Sequence, residues 1–126
     1  MEQLTRAEEQ VMQALWQIEK GFVKDVMEAM PKPVRAAKAP AYTTVSTIIR
    51  ILEQKGFVGH EAFGRAHRYH PIISRDQYGE RTIKQFTKNY FGGSAHELLS
   101  HFIEREDLSA EDLDELLILI KKHREK

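Results

Sequence analysis

Between Pro40 and Pro71 the hydrophobic period changes once, and that change limits the folds open to this chain. From Ala41 to Gly56, AYTTVSTIIRILEQKG, the apolar residues Val45, Ile48, Ile49 and Leu52 recur at helical spacing on one side. From Phe57 to Ile72, FVGHEAFGRAHRYHPI, the pattern becomes two short strands around a turn near Phe63, Gly64 and Arg65, with Pro71 closing the second.

Two more helices precede this segment. Thr5 and Glu8 form a capping box ahead of Ala7, Val11, Met12, Leu15 and Trp16, which share a helical face, and Gly21 ends that helix. Val23, Val26, Met27 and Met30 mark a second helix over about 23–30, stopped by Pro31 and Pro33. Residues 31–40, PKPVRAAKAP, form a basic loop with proline at both ends. Three helices followed by a hairpin is the order of a winged helix-turn-helix.

The remainder reads as three capped helices. Ser74 with Gln77 opens the first over about 75–91, Ser94 with Glu97 the second after Gly92-Gly93, and Ser109 the third, with Leu108 placed to staple on Leu113. The expected division is a winged-helix domain over 1–73 and a helical domain over 74–126, mostly α with one small β-hairpin. Three short helices rarely bury enough surface alone, and this half is rich in large apolar side chains, so it is expected to pair with a second copy of itself. Tyr78, Phe86, Tyr90 and Phe91 would supply the first helix's share of that interface. Leu98, Leu99, Phe102 and Ile103 come from the second, and Leu113, Leu116, Leu117 and Ile120 from the third. The alternative is that these helices fold back on the first domain.

Net charge is zero, but it is not evenly spread. Within 32–68, Lys32, Arg35, Lys38, Arg50, Lys55, Arg65 and Arg68 face only Glu53 and Glu61. A duplex responds to that local field and not to the chain average. On the helix after Pro40, the side opposite the apolar stripe carries Thr43, Ser46, Thr47, Arg50 and Gln54, with no acid and with Glu53 on the flank. Arg donates to guanine O6 and N7, Gln reads adenine, and hydroxyls serve bases or phosphates, so this face suits a major groove. Thr43 and Thr44 at the helix start would also attract a phosphate. Arg65 and Arg68 on the hairpin, with Lys55, Lys32, Arg35 and Lys38, are candidate phosphate contacts that supply affinity and salt dependence.

Cysteine is absent, which removes disulfides, thiolate metal sites and thiol redox sensing. No stretch reaches the ~20 apolar residues needed to cross a bilayer. The acidic, polar N-terminus does not read as a signal peptide, so a cytoplasmic protein without membrane insertion is expected. No cofactor is expected. His60, His67 and His70 raise the alternative of a His-based metal enzyme, but residues three apart on a strand face opposite ways, and no catalytic or metal residue is assigned. A winged helix used only for protein contact is the other alternative.

LTRAEEQVMQALW at 4–16, AYTTV with L-x-x-KG at 41–56, and the wing residues Gly64, Arg65, Tyr69 and Pro71 are the marks by which the chain resembles the penicillinase-repressor family (BlaI/MecI). Tyr-Phe-x-Gly-Ser at 90–94 and a Leu-Ser-x-Glu-Asp run within 108–116 extend the likeness nearly end to end. The resemblance implies a homodimeric repressor whose two winged helices bind the halves of an inverted-repeat operator in double-stranded DNA. In the penicillinase branch it also implies release after a membrane sensor protease triggers cleavage between Asn and Phe, aligned with 100–104. Here the bond is His101–Phe102, because His replaces Asn. The cysteine motifs of the family's copper-responsive members are absent. Many members carry Arg where this chain has Ile51, whereas here Arg50 stands one position earlier.

Overall fold

Thr5 is where the first helix can begin, because its hydroxyl accepts from the Glu8 N–H while the Glu8 carboxylate accepts from the Thr5 N–H. The helix, α1 (Arg6–Ile18), buries Val11, Met12, Ala14 and Leu15. Trp16 is half-buried, its indole N–H donating to the Ile73 carbonyl at 2.9 Å, and Ala7 is exposed, with Glu8 buried beside it. The helix does not run on to Gly21. Glu19 turns it off at a φ of 72°, its N–H bonded to the Leu15 carbonyl, which frees Gly21 for another task.

These residues belong to a computed structural model that describes 3–31, 38–105 and 108–124. The second helix, α2 (Val23–Ala29), starts at Phe22, whose N–H donates to the Asp25 carboxylate. The third, α3 (Tyr42–Gln54), buries Val45, Ile49 and Leu52, with Ile48 half-covered. It ends in a Schellman turn: the Phe57 N–H reaches the Leu52 carbonyl, the Gly56 N–H reaches that of Glu53, and Gly56 takes the left-handed φ of 84° this geometry requires. That turn delivers Phe57 directly into the core beneath α3.

Strands β1 (Val58–Phe63) and β2 (Ala66–Pro71) pair antiparallel with His60 opposite Tyr69 and Glu61 opposite Arg68. Gly21 exchanges both backbone hydrogen bonds with Tyr69, at 2.9 and 2.8 Å, and so acts as a one-residue third strand beside β2. A side chain at 21 would meet the Asp25 Cβ at 2.9 Å, so the approach is open to glycine alone. The result is three helices with a two-stranded wing, a winged helix-turn-helix.

Helices α4 (Arg75–Tyr90), α5 (Ala95–Glu104) and α6 (Ala110–Arg124) follow. Ser74 and Gln77 exchange capping bonds at the start of α4, and Ser94 and Ser109 accept from Glu97 and Asp112 at the next two. The chain divides into two units, Met1–Thr82 and Ile83–Lys126, later than the expected 73/74 boundary. Tyr78 explains the difference. It is 7% exposed, its hydroxyl accepts from the Leu4 N–H, and its ring lies against Trp16 and Phe57, so it belongs to the first core and not to an interface. Within the second unit no residue of α5 or α6 is buried, and Leu117, Ile118, Leu119 and Ile120 are all at least half exposed.

One ion pair ties the start of α1 to the end of α3. The Lys55 ammonium lies 3.0 and 2.8 Å from the two carboxylate oxygens of Glu8, whose side chain is 6% exposed. Burial would raise the Glu8 pKa, but hydrogen bonds from Lys55 and Thr5 and the Lys55 charge outweigh it and hold the pKa below the ordinary value. The unfolded chain therefore binds that proton more tightly, so stability from this carboxylate is complete above the carboxylate range and is lost as pH falls through it. Lys55→Ala should cost about 2–3 kcal/mol in urea unfolding at neutral pH, because a buried charge is left alone. Glu8→Gln should flatten the acid limb of the stability curve, and an unchanged acid limb would show that this pair carries no weight.

Candidate nucleic-acid interface

Burial of Val45, Ile49 and Leu52 sets the rotation of α3 about its axis, and at about 100° per residue every other position follows. Thr43, Thr47, Arg50 and Gln54 fall within a narrow outward sector, and all four are exposed. Among them Thr47 donates its hydroxyl to the Thr43 carbonyl at 2.9 Å, and Arg50 also bonds within the helix. Thr44 is exposed too, but α3 begins at Tyr42 with Ala41 as an N-cap that offers no side-chain bond.

Ser46 departs from the expected outward face. It is 9% exposed, not outward, because it lies only about 60° round the helix from Ile49 and so sits on the shoulder towards the hairpin. There its hydroxyl accepts from the Arg50 guanidinium at 3.3 Å. Tyr42 and Glu53 share that shoulder. The Glu53 carboxylate is bonded to Nδ1 of His60, which joins α3 to the wing. The His60 ring stacks on His67 with centroids 4.1 Å apart and planes 8° from parallel. Tyr69 lies beside both rings. Burial pushes its hydroxyl above the usual phenol value, Glu53 adds to this, and Arg50 opposes it.

The hairpin separates its two arginines. Arg65 is exposed at the two-residue turn after Gly64. Arg68 is turned to the other use: its guanidinium donates to Glu61 at 3.2 Å and covers the Phe63 ring at 4.7 Å, with Phe22 edge-on behind. Lys55 is likewise committed to Glu8, so neither is arranged as the phosphate contact the charge count suggested. Lys38 is exposed at the end of the loop, and Lys32 and Arg35 lie outside the described residues.

His67 and His70 face opposite sides of the hairpin, as spacing requires, but His60 and His67 share one, since His60 pairs with Tyr69 and Ala62 with His67. Cross-strand register brings them together, which a spacing of seven in the sequence does not announce. Among the described residues no three His, Asp or Glu side chains are placed to hold a metal ion.

Residues 4–122 match the penicillinase repressor family. The chain belongs to that family. Among penicillinase repressor relatives, that of Bacillus licheniformis is 26% identical over 122 residues, covering 97% of this chain and 92% of its own. The methicillin resistance regulatory protein MecI of Staphylococcus aureus strain N315 is 24% identical over 120 residues, covering 95% and 94%. The transcriptional regulator BlaI of Mycobacterium tuberculosis is 35% identical over 121 residues, covering 92% of this chain and 83% of its own. In this member of the family, Ile51 is exposed on the shoulder of α3 away from the wing, about 100° from Arg50. His101 and Phe102 lie inside α5, both exposed, with the His101 ring against Phe91. No helix among the described residues is long and apolar enough to cross a membrane.

Proposed function

We propose that the chain is a transcriptional repressor that binds an inverted-repeat operator in double-stranded DNA as a homodimer, with α3 in the major groove. One observation carries this reading: a helix fixed by its core offers Thr43, Thr47, Arg50 and Gln54 outward, with no carboxylate in that sector. An ordinary solvated face mixes acids and bases. This one presents the donors and acceptors that base edges take. Membership of a family whose named relatives are repressors and regulators supports the same reading.

The second unit supports pairing. Phe86, Tyr90, Leu99, Phe102, Ile103, Leu117 and Ile120 stand exposed in a single chain, and Phe91, Leu98, Leu113 and Leu116 are half-covered. So much open apolar surface supports an interface there. Ile83, Ile118 and Leu119 widen it beyond the stripe that periodicity picked out. Release of DNA would act through this unit, by proteolysis after a membrane sensor's signal or by another route. Cleavage at His101–Phe102 would require α5 to open first, since the bond lies within the helix.

Thr47→Glu, which adds a carboxylate to the outward sector without touching the core, should weaken operator binding by about 1–3 kcal/mol in fluorescence anisotropy. Undiminished affinity would remove α3 from the groove. Leu117→Asp should convert dimers to monomers in sedimentation velocity, and persistence of the dimer would place the interface elsewhere.

A further inference from the structure

A cleft of about 320 Å³ separates α3 from the hairpin, and its lining includes Lys24, Tyr42, Ser46, Arg50, Arg65 and His67. None of its lining residues is acidic. The carboxylates nearest it along α3 and the wing are engaged elsewhere, Glu53 with His60 and Glu61 with Arg68. Asp25, at the start of α2, accepts from the Phe22 backbone. Among the described residues Lys24, Arg50 and Arg65 have no ion-pair partner, so the cleft gathers positive charge from three elements and compensates none of it.

The posture of Arg50 adds direction. A guanidinium reaching a base edge extends from the apex of its helix to the floor of the groove. Here it is drawn back one turn to the Ser46 hydroxyl and lines the cleft on the wing side, where the rim of a groove would lie. Rim positions meet phosphates, which take a guanidinium from any strand sequence.

We propose that this cleft is a phosphate site, in which Arg50 and Arg65, with Lys24 at the edge, hold one phosphodiester of the bound duplex. Arg50 is then a backbone ligand and not the base reader that its place on α3 suggests. Ser46 is its positioning residue. The proposal rests on duplex binding by α3, and it deepens that reading by separating the residues that choose sequence, Thr43, Thr47 and Gln54, from one that supplies affinity.

The test measures binding of the wild-type dimer and its Arg50→Ala, Arg50→Lys, Arg65→Ala and double alanine variants against salt. The probes are a duplex enriched by the protein from a random-sequence pool and an unrelated duplex of the same length. Loss of one phosphate contact from each protomer removes two from the bound dimer and should lower the salt slope by about 1.8. Arg50→Ala should therefore weaken both duplexes by the same factor, Arg50→Lys should keep the slope, and the double variant should lose no more slope than one phosphate per protomer carries. A collapse of the ratio between the two duplexes with the slope kept would make Arg50 a base reader and overturn the proposal. So would a slope loss of two phosphates per protomer in the double variant. Titration of the free protein with inorganic phosphate at constant ionic strength separates the sources. Saturation that depends on Arg50 at micromolar phosphate would assign the cleft to a small phosphorylated ligand instead. Failure of the wild-type protein to bind either duplex would sink the repressor reading itself, whereas normal binding with an unaltered Arg50→Ala slope would sink only the phosphate site.

Discussion

Everything the first unit presents to its surroundings depends on how three side chains of α3, Val45, Ile49 and Leu52, are packed. They are fully buried with Val11, Met12 and Leu15 of α1 and with Phe57. A helix held this way cannot roll about its axis without exposing apolar surface, at a cost of about 1.5–3 kcal/mol for each large side chain. Its outward sector is therefore set by the core. The same packing fixes the two shoulders: Lys55 is delivered to Glu8 on one side, and Tyr42, Ser46 and Glu53 meet the hairpin on the other.

The wing is attached by backbone as much as by side chains. The paired bonds between Gly21 and Tyr69 stitch β2 to the α1–α2 connection, and the Schellman turn at Gly56 launches β1 straight from the end of α3. Charges are sorted by this frame. Glu8, Glu53 and Glu61 are each paired with a base within the fold, which leaves Lys24, Arg50 and Arg65 facing one cleft. A chain of zero net charge thus acquires a positive face without needing a positive total.

Much of this was legible in the residues. The capping boxes at Thr5 and Ser74, the glycines after α3 and α4, and the switch from helical to strand period name the elements in order, because these signals act over a few residues. Relations across the chain were not legible. Lys55 and Arg68 count as free cations until Glu8, 47 residues away, and the cross-strand Glu61 are seen beside them. Tyr78 has the composition of an interface residue, and only the fold shows it spanning back to Leu4. Ser46 was misplaced for a different reason: periodicity distinguishes inside from outside but not a shoulder that a later hairpin will cover. Ile118 and Leu119 fall outside the stripe of α6 that periodicity defines, because the helix is apolar on more than one side.

The central claim is that the outward sector of α3, together with the turn of the wing, is what meets a duplex. Amide and side-chain NMR shifts recorded while the operator duplex is added test it most directly. Changes concentrated at Thr43, Thr47, Arg50, Gln54 and Arg65 are expected, with the exposed side of α1 silent. Shifts confined to α1 or to α5 and α6, with α3 unmoved, would contradict it.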